Sequence, residues 1–273
     1  MTATTTDTMR RISTLSHSLP APRRRPATVS LGRAFGDPSP ANAGIRNYEI
    51  AALRHDGSLF IGQQRAPAQP LFESAFSAFA RGTVIQSTRG PVAIEDLQPG
   101  DQLITVGGPP AEIVWIGSST FVPADAGRRT PLIRIMPDSL GNARPATPIT
   151  VGPSARILQT PHHLRARACR EPMLTPVREF VHGVHVINVT PPTPVRLFHL
   201  CLAEHAAIIA GGLEMETFHP GLISTQMMTR NVRDLFLSMF PQIAHISDFG
   251  PLAHPRMPEP VFEGTEFGAT ASS

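Results

Sequence analysis

Lysine is absent: all 24 basic residues are arginine. The chain therefore offers no amine for a Schiff base and none to reach the phosphates of a nucleotide loop, which removes two large enzyme classes. Cysteine is scarce, with only Cys169 and Cys201, and these show neither the paired spacing of a zinc knuckle nor a redox motif. They are read as reduced thiols in a reducing compartment. No apolar run approaches the roughly 18 residues that a membrane-spanning helix needs. No charged start followed by an apolar core marks a secretory signal either, so the cytoplasm is the expected location, with non-classical export left open. Acidic residues are almost missing from the beginning of the chain: residues 1–33 hold six arginines against Asp7, leaving 18 arginines against 20 acids in the remainder. The formal net charge of +3 thus belongs to the tail. Without a contiguous basic face elsewhere, nucleic acid is not an expected partner.

What is present suffices for one full core and a small appendage, since 273 residues carry 41% hydrophobic content. Residues 1–45 are rich in Arg, Pro, Ser and Thr, a composition that buries too little apolar surface to offset the entropy of ordering, and are expected to be a disordered tail. Pro20, Pro22 and Pro26 argue against the amphipathic helix of a transit peptide. Residues 46–75 are read as a small hairpin and a linker. "NYEIAALR" and "SLFIG" flank the turn signal His55-Asp56-Gly57, and Pro67 and Pro70 are expected to keep the following stretch extended.

From Thr83 to about Phe218 short β-runs alternate with Gly and Pro: "TVIQS", "PVAI", "QLITV", "EIVWIG", "PLIRI", "ARILQT", "VHVINV" and "VRLFHLCL". With few long helical periodicities between them, they predict a mostly β domain of hairpins rather than a parallel α/β sheet. Trp115, the only tryptophan, is assigned to the core. In the last part, residues 222–273, the period changes to Val232, Leu235, Phe236, Met239 and Phe240, one face of a helix that is expected to dock on the β body. Asn231, with Asp234 three residues on, is read as its N-terminal cap, and Pro241 as its stop.

Three separated stretches carry a resemblance covering residues 76–221. "FARGTVIQSTRGPVAIEDLQPGDQLIT" resembles the opening block of Hint domains, the fold shared by Hedgehog autoprocessing domains and inteins, and in particular their bacterial branch. "ILQTPHHL" resembles the second block, its Thr-x-x-His being Thr160-Pro161-His162-His163. "RLFHLCLAEHAAIIAGGLEMETFHPG" resembles the late strand pair, with His205 opening the final strand. In that family a Cys or Ser at the first position attacks the preceding carbonyl, and a His held by Thr supplies or relays a proton to the leaving amine. The resemblance implies a Hint fold, self-cleavage by an N-to-S acyl shift, and Thr160, His163 and His199 as retained site positions.

The same alignment places Ala78 where the nucleophile belongs, and a methyl group has no lone pair with which to attack. Three replacements were weighed. Ser77 lies one residue early and would act on the preceding bond. Cys201 could attack from the late strand. His162, His163, His199, His205 and His219 could gather around zinc and a bound water, although His162 and His163 would point to opposite faces of a strand and no acidic residue completes a ligand set. An intein ends in Asn before a nucleophile, and "METFHPG" has neither. Two expectations follow: a scaffold without self-cleavage that binds or supports an unidentified protein partner, or an active autoprocessing domain using Cys201, Ser77 or histidine-directed water. No cofactor, metal or membrane span is expected.

Overall fold

The computed structural model describes residues 44–123, 129–161, 172–221 and 228–257. Almost all of the expected tail lies outside these residues, but Ile45 already belongs to the first strand. Strand β1 (Ile45–Leu53) folds back onto β2 (Leu59–Pro67) through Gly57, which takes φ +80°, and Asp56 accepts the Ser58 N–H at 2.9 Å. The stretch beyond Gln69 is not an extended linker. Pro70 sits at the first position of a short helix α1 (Pro70–Glu73), where its missing N–H costs no hydrogen bond, and a 3₁₀ turn (Ser74–Phe76) continues it. Phe72, Ala75 and Phe76 are buried by these two turns.

The β body follows as β3 (Phe79–Ala80), β4 (Val84–Ser87), β5 (Gly90–Ala93), β6 (Gln102–Leu103), β7 (Ala111–Phe121), β8 (Leu132–Ile135), β9 (Ile149–Val151), β10 (Arg156–Leu158), β11 (Leu174–Pro176), β12 (Val186–Val189), β13 (Val195–Leu202), β14 (Ala207–Ala210) and β15 (Leu213–Glu216). The paired strands run antiparallel in the order β11-β10-β15-β14-β4-β6-β7-β13-β3-β9-β8-β12, with β1 added to β7, β2 to β1 and β5 to β4. The fold is mostly β, as the hairpin-like spacing of the apolar runs predicts. His205 does not open the last strand: it lies in the turn before β14, and the tight Gly211-Gly212 turn leads to β15.

Strands β7 and β13 pair side by side, antiparallel, at the centre and are buried on both faces. One face contributes Ile113, Ile116, Phe198, Leu200 and Leu202 to the main apolar core. The other contributes Trp115 and Cys201 to a second cluster with Tyr48, Phe72, Phe76, Phe218, Phe236 and Phe240. The second cluster is aromatic because it fills the space between the sheet and helix α2 (Arg230–Leu237). Trp115 meets the Phe240 ring at 4.7 Å and donates its indole N–H to the Met239 carbonyl at 2.8 Å. Helix α2 therefore docks at home, as its apolar stripe predicts, with Phe236 in the helix and Met239 and Phe240 in the following turn fully buried, but it ends at Leu237, before Pro241 can stop it. Its cap differs from the sequence reading. Thr229 holds the N-cap position without a side-chain hydrogen bond, and Asn231 lies within the helix.

Candidate functional site

The peptide bond between Ser77 and Ala78 is held from two directions. As the chain leaves the 3₁₀ turn, Ser77 takes φ −141° and ψ 43°, and the Ala78 N–H donates to the Phe198 carbonyl of β13 at 2.9 Å. From the other side, the turn between β9 and β10 donates the Gly152 N–H to the Ala78 carbonyl at 2.8 Å and the Ser154 N–H to the Ser77 carbonyl at 3.2 Å. The contact is so close that a Cβ on Gly152 would lie 2.0 Å from the Ser77 oxygen. Ser77 and Ala78 are almost completely buried. The Ser77 hydroxyl donates to the Glu73 carbonyl at 2.7 Å and lies 3.3 Å from the Ser154 hydroxyl. Among the described residues no titratable side chain hydrogen-bonds to either residue.

His199 stands one residue beyond the carbonyl that holds Ala78. Its ring is clamped edge-on between Phe79 at 5.6 Å and Phe218 at 5.4 Å. Burial pushes its pKa down to about 3, an effect that the nearby Glu216 only partly offsets. The imidazole is therefore neutral at physiological pH. Its Nδ1 accepts the Leu200 N–H at 3.2 Å, which assigns the proton to Nε2. Thr160 is half-buried just past the end of β10, on the same segment whose first residues clamp the Ser77–Ala78 peptide. His162, His163 and Cys169 lie outside the described residues.

Cys201 shares the face of β13 that His199 occupies, and its thiol packs in the second, aromatic cluster rather than beside Ala78. It lies three positions beyond Phe198, about 10 Å along the strand. Burial raises its pKa well above the usual thiol value, so the thiolate needed for attack is suppressed.

A buried polar cluster lies next to His199. Glu214 and Glu216 alternate with Leu213 and Met215 along β15, yet the Glu216 side chain is only 3% exposed. It is met by His205 Nε2 at 3.1 Å, Arg256 Nε at 2.8 Å and Arg156 Nη1 at 3.6 Å. Burial alone would raise its pKa. The His205 hydrogen bond and the two guanidiniums outweigh burial and hold it down at about 2. His219, whose ring is 5.2 Å from that of His205, donates from Nε2 to the Gly250 carbonyl at 2.9 Å and accepts the Gly221 N–H at Nδ1. Burial lowers its pKa to about 4. Sequence patterning missed Glu216, Arg156 and Arg256 because their pairing depends on chain segments far apart.

The family model described as Hint domain matches residues 77–222, more than half of the chain. The chain belongs to the Hint domain family. Among solved structures, the crystal structure of TvoVMA intein is similar at 11% sequence identity, covering 63% of this chain and 96% of that one with a TM-score of 0.26. That likeness is too loose to carry an argument, and the assignment rests on the sequence match. No curated protein matches the sequence. The match begins at Ser77, so the α1 turn, the β1–β2 hairpin and helix α2 flank the Hint domain proper.

Among the described residues of the Hint domain, His199, His205 and His219 do not gather around a common point as the zinc arrangement requires. His205 and His219 are engaged by Glu216 and by backbone groups, and among the described residues no group of three or more His, Cys, Asp or Glu is arranged to hold a metal ion. A cleft of about 590 Å³ opens between the loop Thr105–Glu112, the turn Ala203–Ala206 and residues Ala253 and His254. Ser77, Ala78, Thr160 and His199 do not line it. Among the described residues no helix is long and apolar enough to cross a membrane.

Proposed function

We propose that this Hint domain keeps the family scaffold without starting the acyl shift, and serves as a binding or structural module. The packing of Ala78 carries the reading. The residue that the resemblance aligns with the nucleophile is a methyl group with 0% exposure, in one apolar cluster with Phe79, Val151 and Phe198. Its backbone N–H and carbonyl are both hydrogen-bonded, so the peptide is pinned rather than presented to a nucleophile. The surrounding groups support the same reading. His199, neutral and ringed by phenylalanine, carries no acidic proton for a leaving amine at neutral pH. The Ser77 hydroxyl is committed to the Glu73 carbonyl, and the Cys201 thiol is buried in the other cluster.

Intact-mass measurement of the freshly purified full-length chain, incubated with hydroxylamine or dithiothreitol, tests this. A single unaltered mass is expected under both nucleophiles. Fragments that break at Ser77–Ala78 or Phe76–Ser77 would establish the autoprocessing alternative, and Cys201→Ala and Ser77→Ala would then identify the attacking group.

A further inference from the structure

Residues 250–257 follow the family-matched segment and lie across it as a strap. Their ties are mainly polar. The Leu174 N–H of β11 donates to the Pro255 carbonyl at 2.8 Å, and the Met257 N–H donates back to the Leu174 carbonyl at 3.0 Å, a one-residue parallel extension of the sheet edge. The Ala253 N–H donates to His205 Nδ1 at 3.0 Å, and His219 Nε2 donates to the Gly250 carbonyl at 2.9 Å. Arg256 bridges the Glu216 carboxylate through Nε and the His219 carbonyl through Nη2, each at 2.8 Å.

The two sides of this contact are built differently. Leu174, Glu216 and His219 of the groove are buried, whereas no residue from Gly250 to Met257 is. Among the described residues the strap therefore has no deep apolar anchor and is held by backbone pairing, two histidine rings and one arginine. Segments with few buried apolar contacts are the ones that open locally below the global unfolding free energy. The groove also has features that recognise an extended chain: a strand edge for main-chain pairing, two ring nitrogens that bond one backbone carbonyl and one backbone N–H, and a buried carboxylate beside a carbonyl. The last pair suits the planar fork of a guanidinium better than the single point of an ammonium. The 590 Å³ cleft, which Ala253 and His254 help to line, continues from the groove and carries Glu112 and Glu204.

We propose that this groove is a binding site for an extended, arginine-bearing peptide, filled here in cis by the chain's own residues 250–257. The inference deepens the binding-module reading by naming the class of partner. Opening the strap would expose the β11 edge and Glu216 to a competing segment, and the tether makes the cis segment the stronger competitor at low partner concentration.

The test uses the full-length chain carrying Ala253→Pro and Arg256→Ala, which removes the strap's N–H donor to His205 and its guanidinium. A fluorescein-labelled peptide of residues 249–257 is titrated into this variant and into the wild type, with anisotropy as the readout. Binding to the variant is expected to be at least tenfold tighter than to the wild type, and at least tenfold weaker when the peptide's arginine is replaced by alanine. Equal binding to both proteins, indifference to the peptide arginine, or no binding to a variant that melts cooperatively overturns the proposal. Native-state hydrogen exchange on the wild type keeps the proposal falsifiable should the variant fail to fold. The Leu174, Ala253 and Met257 amides are expected to exchange together, at least a hundredfold faster than the amides of β13, and exchange only with the core overturns it. Neither readout depends on whether the Ser77–Ala78 bond is cleaved, so failure here leaves the inert-scaffold reading standing and is distinguishable from its failure.

Discussion

Gly152 is the residue on which the geometry of the Ser77–Ala78 peptide turns, because any Cβ there meets the Ser77 oxygen. Gly152→Ala should displace the clamp and lower stability by about 2–4 kcal/mol, read from urea unfolding. A loss below about 0.5 kcal/mol would mean that the turn between β9 and β10 yields freely. Three buried titratable groups set the response to acid. His199 and His219 bind protons in the unfolded chain near the ordinary value of 6.5 but in the fold only near 3 and 4, so the unfolded state gains protons first as pH falls. Glu216 works in the same direction: its stabilising charge is fully present above 4.5 and is lost as pH falls toward about 2. The melting temperature should therefore start to drop below about pH 6.5 and fall steeply through pH 4. A flat profile from pH 7.5 to 4.5 would show that the two histidines are solvated. That residue 78 is an alanine was legible from the sequence, since residue type needs no coordinates. What surrounds it was not, because its partners Phe198, Gly152 and Ser154 lie more than 70 residues away.

Among the elements, the β-runs were readable because each short apolar stretch ends in a turn residue whose backbone requirement is strong, as at Gly57 and Gly100, with φ of +80° and +99°. Misreadings fell where local signals are ambiguous. Pro70 favours an extended residue before it, and Gln69 is extended, but proline also begins a helix well, and burial of Phe72 and Phe76 selected the helical turn. Asn231 has the chemistry of a cap, but the helix starts at Arg230, so Asn231 falls inside it and Thr229 stands at the boundary. Phe236 within the helix and Phe240 in the turn after it join α2 and that turn to the aromatic cluster. Phe240→Ala should cost about 3–5 kcal/mol, since it removes a ring that touches Trp115, Phe218, Phe236 and Phe249. A loss under about 1 kcal/mol in denaturant unfolding would mean that the turn after α2 contributes little to the fold.

Across the whole molecule, the family-matched segment does not close its own surface. Trp115 and Phe218 belong to it, but Tyr48, Phe72, Phe76, Phe236 and Phe240, which cover them, come from outside residues 77–222. A chain cut to residues 77–222 should bind 8-anilinonaphthalene-1-sulfonate and lack a cooperative melt, while the full chain melts cooperatively. A well-dispersed NMR spectrum from the truncated chain would contradict this. The sequence by itself determined the family, the β-rich class, the docking helix and the methyl group at position 78, because each is written in residue type or in a short-range period. Only the tertiary structure decided that the flanking segments complete the aromatic core, that Glu216 is buried between two arginines, and that Cys201 faces away from Ala78. Those outcomes depend on which distant strands share an edge and a face, and no local period encodes that.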